Sequence, residues 1–266
     1  MAKLFAITAI ALYLLSTFRQ IKAVTQSQGA NRNQVIGLGM IATVFHGAAW
    51  FTPMLNQDSI ALGFFSVGSL IALVISALIV LSAIKQPIEN LLLGVFPMSA
   101  LLLSVNLFVP EAQVTGNHWN NGLTSHIILS IMAYSILTIA AFQAILLMVQ
   151  NYQLKHKHMS GIMRVLPPLQ TMDRLLFQML SAGTVLLTLA IASGFLFLDD
   201  LFAQHLLHKT LFTLISWAIF SFLLFAHWRF GWRGTVASKW TLTAMSFLVL
   251  AFFGSKLVLE IILQRA

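Results

Sequence analysis

Residues 60–84 read IALGFFSVGSLIALVISALIVLSAI, an apolar run without a charged side chain. An α-helix needs roughly 17 to 25 such residues to cross the hydrocarbon core of a bilayer. The apolar residues are continuous rather than alternating, which is not the pattern of a strand in a membrane β-barrel. The run therefore predicts a transmembrane helix.

Seven further runs of the same character lie along the chain. The eight predicted helices cover residues 4–18, 35–54, 60–84, 91–109, 123–150, 175–198, 210–228 and 240–262. The whole chain is 59% hydrophobic and 8% charged, with a mean hydropathy of +0.89. The first run lacks a small-residue cleavage site, so we expect a retained helix rather than a signal peptide. The sequence predicts an all-α, polytopic integral membrane helix bundle that forms a single membrane domain over residues 1–266.

The basic residues indicate an orientation in the membrane. Eleven of the 15 lysines and arginines lie in the linkers that follow the first, third, fifth and seventh predicted helices. The opposite side has four basic residues and carries Asp58, Glu111, Asp199 and Asp200. Because cytoplasmic loops hold the excess of Lys and Arg, we expect both termini to lie outside, facing the periplasm or the cell exterior.

Charge and cysteine content narrow the function classes. The net charge of +8 is spread over four linkers beside the membrane, where topology and anionic lipid account for it, so we expect no nucleic acid partner. The chain has no cysteine, which excludes thiolate metal sites and covalent attachment of haem. The longest predicted linker, residues 151–174, is too short to bury a core of its own. The chemistry must therefore come from polar residues within the helices.

Two predicted helices carry small and polar residues along one face. These stripes are Gly39, Thr43, His46 and Trp50 in the second helix and His126, Ser130, Tyr134 and Thr138 in the fifth. A stripe of this kind faces protein rather than lipid, and its hydroxyl groups are typical of ordinary helix packing. A histidine at such a position is costly in a bilayer and indicates a function.

Three histidines, His46, His126 and His227, lie within predicted helices or near their ends. Neutral imidazole is a common metal ligand, and haem iron needs one or two of them in an apolar slot. The chain has 21 Phe, 6 Trp and 11 Met to line such a slot. We therefore take these histidines as candidate haem iron ligands, against the alternative that each only bonds a neighbouring helix.

The remaining histidines lie in or beside predicted loops, and we expect them to be exposed. They are His118, His156, His158, His205 and His208. His205 and His208 are three residues apart, a spacing at which both side chains can reach one metal ion.

The order and spacing of several motifs resemble the cytochrome c assembly, or haem-handling, membrane proteins. One motif begins with Ser125-His126 and ends with Tyr134-Ser135. The second runs from Lys209-Thr210 through Trp217 and His227 to the Gly231-Trp232-Arg233-Gly234 sequence. The similar region covers about residues 40–262. The chain length and the eight helices are closest to the small HemX/YpjD-like branch of this family.

The resemblance implies a multi-pass protein of the bacterial inner membrane that binds haem b non-covalently and handles it during cytochrome c assembly, rather than an enzyme. By position, His126 matches the outer haem histidine, and His227 matches the histidine near the cytoplasmic end of the penultimate helix. Lipid, haem and cytochrome c assembly components are the implied partners. Residues 198–209, however, lack the tryptophan-rich loop of the full family members. An accessory or regulatory role is therefore as open as assembly itself.

Three further residues are candidates for the haem slot. We take Trp217 as a candidate to shape the slot. Arg229 and Arg233 are candidates to pair with the haem propionates on the cytoplasmic side, against the alternative that they serve only as positive-inside anchors of the topology. The ligand pair itself stays open, because His46 lies about 16 Å into its helix at 1.5 Å per residue while His227 lies near the cytoplasmic end.

Two rival functions belong to other classes. A b-type cytochrome that exchanges electrons with quinone also uses buried histidines, and it predicts reversible reduction by quinol. A haem-independent transporter of a small solute, or a regulatory membrane subunit, predicts that the histidines tolerate replacement by Gln.

Overall fold

The structure, a computed structural model, describes residues 1–25, 31–57, 63–109, 121–156, 166–197 and 207–254. These ranges contain helices and no strand. The helices are α1 (Ala2–Thr25), α2 (Arg32–Gln57), α3 (Phe64–Lys85), α4 (Leu92–Phe108), α5 (Asn121–Lys155), α6 (Leu169–Phe197), α7 (Leu207–Phe230) and α8 (Gly234–Val249). A 3₁₀ turn, Glu89–Leu91, leads into α4, and a π-helical turn, Leu250–Gly254, extends α8.

Within the described ranges, eight helical segments are long and apolar enough to cross a membrane. The predicted all-α membrane bundle of about eight helices is therefore confirmed. The outward placement of both termini and the single membrane domain stay predictions.

The observed helices are mostly longer than the predicted apolar runs. α6 begins at Leu169 and α8 at Gly234, six residues before the predicted starts in each case. The added turns contain charged residues, Asp173 and Arg174 in α6 and Lys239 in α8. An apolar run marks the part of a helix that lies in hydrocarbon, and backbone hydrogen bonding continues the helix beyond it. Residues 255–262 of the last predicted run lie outside the described residues.

The chain forms two compact units. Unit 1 comprises residues 1–117 and 159–167, and unit 2 comprises residues 118–158 and 168–266. In unit 1, α1 and α3 each pack against both α2 and α4. Tyr13 of α1 is fully buried, with its ring centroid 5.0 Å from that of Phe96 in α4. The first helix is therefore part of the core of unit 1.

At one end of unit 1, polar contacts join α1 and α2 to the end of α3 and to the turn before α4. The Arg32 guanidinium donates to the backbone carbonyls of Ala83 and Gln86 at the end of α3, and it pairs with Glu89 at 3.5 Å. The Gln20 amide donates to the Glu89 carbonyl at 2.7 Å. The bond to Ala83 satisfies a carbonyl in the last turn of α3, which has no intrahelical partner.

In unit 2, α5 packs along both α6 and α8, and α7 packs against α6 and α8. α6 and α7 run antiparallel, because Phe177 early in α6 contacts His227 late in α7. Further along α6, Thr188 accepts a hydrogen bond from Trp217, which lies earlier in α7.

Gly39 allows a close helix contact in unit 1. A Cβ atom there would meet the Phe96 ring and would lie 3.2 Å from Cγ2 of Val80, whereas a Cβ at Gly37 would have nothing within 4 Å. We expect Gly39→Ala to lower the free energy of unfolding. Overpacking costs about 1–3 kcal/mol, which exceeds the roughly 0.5–1 kcal/mol that alanine gains over glycine within a helix.

The matched control is Gly37→Ala, which we expect to leave the stability unchanged or slightly higher. Thermal unfolding of both variants in the same detergent makes the comparison. Equal midpoints for the two variants would show that the Phe96 ring does not pack this closely against the backbone at Gly39.

Candidate functional site

His46 lies in the core of unit 1, and both of its ring nitrogens have protein partners. The side chain is fully buried. Its Nδ1 lies 3.3 Å from the Tyr13 hydroxyl and its Nε2 lies 3.0 Å from the Ser69 hydroxyl. A neutral imidazole has one N–H donor and one acceptor nitrogen, and two hydroxyl groups satisfy both. To bind iron, His46 would have to give up one of these bonds.

The bonds of His46 belong to a wider polar network that joins the helices of unit 1. The Ser76 and Ser99 hydroxyls, on α3 and α4, lie 2.9 Å apart. The Trp50 indole of α2 donates to the Ser66 carbonyl of α3 at 3.2 Å, and the Ser66 hydroxyl donates to Asn106 of α4 at 2.8 Å. The prediction that the polar stripe of the second helix faces protein is therefore confirmed.

His126 lies near the start of α5 and is half-buried. Its Nδ1 is 2.9 Å from the Ala190 carbonyl and 3.1 Å from the Ser193 hydroxyl, both on α6. A carbonyl only accepts hydrogen bonds, so Nδ1 carries the proton and Nε2 carries the lone pair. The Ser130 hydroxyl is 3.5 Å from Nε2, which is long for a hydrogen bond from oxygen. Lys209 lies close enough to interact electrostatically with this imidazole.

His227 lies in the last turn of α7, and its Nδ1 bonds a backbone carbonyl, as that of His126 does. Its Nδ1 donates to the Trp232 carbonyl at 2.8 Å, so Nε2 is again the nitrogen with the lone pair. No residue in the described ranges makes a hydrogen bond with this Nε2. The imidazole stacks on the Phe177 ring of α6, with centroids 3.4 Å apart and ring planes 16° apart.

The Trp232 carbonyl belongs to the Gly-Trp-Arg-Gly sequence that joins α7 to α8. Gly231 and Gly234 have φ angles of +69° and +60°, which favour glycine. The Gly231 N–H donates to the His227 carbonyl at 3.0 Å, the usual bond that ends a helix at a left-handed residue. The Gly234 N–H donates to Asp173 Oδ1 on α6 at 2.9 Å. The motif is thus a tight turn with two glycine-dependent positions.

The other predicted site residues do not gather around one histidine. The Trp217 indole donates to the Thr188 hydroxyl at 2.9 Å, and Trp217 precedes His227 by ten residues, or roughly 15 Å of helix. Arg229 and Arg233 are exposed at the same end of unit 2 as His227. The Arg229 guanidinium lies 5.9 Å from the centroid of its neighbour Phe230.

His126 and His227 lie too far apart to be the two axial ligands of one iron. Both contact α6, one at Ala190 and the other at Phe177. These positions are 13 residues apart, which is roughly 20 Å along a helix. Axial ligands bind one iron from opposite faces of the same porphyrin. Any haem bound by His126 is therefore separate from a haem bound by His227.

The structure describes two of the five remaining histidines, and both are exposed. His156 is exposed at the end of α5, with its Nδ1 2.8 Å from the Tyr152 carbonyl, and His208 is exposed at the start of α7. His118, His158 and His205 lie outside the described residues, and so does the predicted pairing of His205 with His208. Among the residues that the structure describes, no group of three or more His, Cys, Asp or Glu could hold a metal ion.

Two residues at the His227 site were not among the predicted site residues. Asp173 contacts the turn, and Phe177 contacts the His227 ring. Asp173 could have been recognised from the sequence, since it is the one acidic residue in the basic stretch 151–174. Nothing in the sequence distinguishes Phe177 from the other phenylalanines, of which the chain has 21 in all. Their spacing of four residues places both on one face of α6.

Comparison with known proteins gives one family and several relatives. The model of the cytochrome c assembly protein family matches residues 35–263. Inner membrane protein YpjD of Escherichia coli K12 is 30% identical over 260 residues, which cover 97% of this chain and 98% of YpjD. Protein HemX of Brevibacillus brevis is 24% identical over 159 residues, which cover 58% of each chain.

A further relative is an uncharacterized 28.8 kDa protein of Azospirillum brasilense, 32% identical over 170 residues that cover 61% of this chain and 63% of the relative. No solved structure matches the chain significantly. The family match spans most of the chain, and YpjD is similar over nearly its whole length. The chain therefore belongs to the cytochrome c assembly protein family.

Proposed function

We propose that this chain binds haem b non-covalently through His126 and His227 and that it acts in, or as an accessory to, cytochrome c assembly. The observation that carries the proposal is the shared arrangement of the two histidines. Each donates its Nδ1–H to a backbone carbonyl and so keeps a lone pair on Nε2. The family membership supports the link to cytochrome c assembly, and the name of YpjD as an inner membrane protein supports the same location here.

This arrangement is the one that metal-binding histidines use. A histidine ligand almost always donates its other ring N–H to a carbonyl, a carboxylate or water, which orients the ring and makes the ligating nitrogen more basic. In His126 and His227 the donated bond is already in place, so iron binding would not require a change of tautomer. His46 lacks this preparation, because both of its nitrogens bond hydroxyl groups.

Each of the two positions has cationic side chains near it. Lys209 interacts electrostatically with His126, and Arg229 and Arg233 lie at the same end of unit 2 as His227. Lysine and arginine form charge-assisted hydrogen bonds with carboxylates, and the haem propionates are carboxylates. The two histidines would hold haem as cargo at two separate positions about 20 Å apart along α6. In this proposal the protein holds haem and is not an enzyme.

The first test is the visible spectrum of protein purified in mild detergent from haem-replete cells, oxidised and then reduced with dithionite. We expect a b-type spectrum and haem that organic solvent extracts from the chain. His126→Ala and His227→Ala each remove the haem at their own position, and the double variant retains none. His156→Ala is the control, because His156 is exposed and lies outside both positions.

Protein that carries no haem and takes up no added hemin in a saturable way would contradict the proposal and favour the haem-independent transporter or regulatory subunit. Rapid reversible reduction of bound haem by a quinol would favour the b-type cytochrome instead.

His46 gives a second prediction, because a hydrogen-bonding role and a ligand role respond differently to glutamine. Glutamine keeps a donor and an acceptor, so we expect His46→Gln to retain haem and most of the stability. His46→Ala leaves the buried Ser69 hydroxyl without this partner, at about 1–3 kcal/mol for an unsatisfied group, whereas the Tyr13 hydroxyl keeps Thr43 at 3.4 Å. Thermal unfolding and haem content of both variants make the test. A stable His46→Gln protein without haem would identify His46 as a ligand.

A further inference from the structure

The carbonyl that bonds His227 comes from a turn rather than from a helix. Helix carbonyls point toward the C-terminus. If α7 continued past Phe230, the Trp232 carbonyl would point away from His227. In the structure Gly231 adopts a φ of +69° and reverses the chain, and the Trp232 carbonyl lies 2.8 Å from His227 Nδ1. The protonated position of His227 therefore depends on the conformation of Gly231.

The turn is held from several sides. The Gly231 and Trp232 amides donate to the carbonyls of His227 and Ala226 at 3.0 Å and 3.4 Å. The Trp232 ring packs with Phe222 of α7 at 5.7 Å and Trp240 of α8 at 5.9 Å, measured between centroids. These contacts anchor the turn to the helices that it joins.

The third anchor comes from α6 and links the turn to the imidazole ring. Asp173 accepts the Gly234 N–H at 2.9 Å, and Phe177, one helical turn later, stacks on His227. One face of α6 therefore fixes both the turn that supplies the carbonyl and the plane of the ring. A change at Asp173 would reach His227 through the turn, without any direct contact between the two residues.

We infer that Asp173 and the Gly231-Trp232-Arg233-Gly234 turn are positioning residues that keep the proton of His227 on Nδ1 and leave Nε2 basic. The role of this Nε2 as an iron ligand rests on the proposed function. The control of the tautomer rests only on the geometry of the turn. Loss of a hydrogen bond to the second ring nitrogen of a histidine ligand typically weakens metal binding about 10–100-fold.

The test uses the full chain in detergent micelles, without haem, labelled with ¹⁵N-histidine. His227→Gln identifies the His227 signals by their absence, and the ¹⁵N shifts distinguish a protonated from an unprotonated ring nitrogen. In the unmodified chain we expect a protonated Nδ1 and an unprotonated Nε2. Two matched pairs of variants follow, one at Gly231 and one at Asp173.

At Gly231 a Cβ has nothing within 4 Å, so the main effect of a substitution is on the backbone conformation. Asparagine tolerates a positive φ and a β-branched residue does not. We expect Gly231→Asn to keep the single tautomer of His227 and Gly231→Val to give a mixture of tautomers. At Asp173, Asp173→Asn keeps an oxygen acceptor for Gly234 and the single tautomer, whereas Asp173→Ala loses both.

Hemin titration of the same variants, in the His126→Ala background, is the second measurement. We expect affinity about 10–100-fold lower for Gly231→Val and Asp173→Ala than for their partners. If Gly231→Val does not fold, the Asp173 pair gives the result, because its two variants differ by the carboxamide group that carries the acceptor oxygen.

The outcomes separate this inference from the proposed function. A tautomer that changes as expected, in a protein that binds no hemin, supports the positioning device and overturns the haem proposal. A His227 that carries its proton on Nε2 in the unmodified chain overturns the inference, as does a single unchanged tautomer in both Gly231→Val and Asp173→Ala, whatever the hemin titration gives.

Discussion

A histidine within a membrane helix has two ring nitrogens that can hydrogen-bond, and the bilayer core offers no water as a partner for either. Much of the functional interpretation of this chain depends on which partners each histidine has. His46 uses two hydroxyl groups and becomes a junction between helices of unit 1. His126 and His227 each use one backbone carbonyl, and in both cases the carbonyl leaves Nε2 as the nitrogen with the lone pair. The same residue type therefore uses both ring nitrogens for packing in one unit, whereas in the other it keeps a lone pair on Nε2, which we propose to be the ligand atom.

His126 and His227 differ from His46 because a backbone carbonyl lies within reach of each of them. The Ala190 carbonyl accepts from His126, and the Ser193 hydroxyl lies one turn further along the same helix. The Trp232 carbonyl is available only because two glycines turn the chain back between α7 and α8. α6 contributes to both sites, and their separation of roughly 20 Å along this helix makes them independent positions rather than a ligand pair. This separation agrees with the proposal that the protein holds haem at two positions in unit 2.

The sequence was sufficient for the number and type of the helices, because the thickness of the hydrocarbon core sets the length of an apolar run. It was less accurate for helix bounds. The first six residues of α6 and of α8 precede the predicted apolar runs, and they include Asp173 and Gly234 of the His227 site. The polar stripe at His46 was predictable from helical spacing. Its hydroxyl partners on α1 and α3 were not, since they depend on which helices pack together.

The contacts of the Gly-Trp-Arg-Gly motif were likewise not predictable from the sequence. Its resemblance to the family was readable from the sequence, but its effect on the proton of His227 required the positions of the Trp232 carbonyl and of Phe177. Arg229 and Arg233 were expected near a haem because of their charge. The structure places them as exposed side chains at the same end of unit 2 as His227. Their pairing with a haem stays a prediction, and the geometry around His227 is set by packing that the sequence pattern does not show.

The most direct test of the central claim is electron–nuclear double resonance spectroscopy of the ferric haem protein, prepared from cells grown with ¹⁵N-histidine. If His126 and His227 bind iron through Nε2, the haem signal shows hyperfine coupling to histidine ¹⁵N nuclei, and this coupling disappears when both residues are replaced by alanine. A haem signal without histidine coupling, or with coupling that persists in the double variant, would contradict the assignment of these two histidines as the ligands.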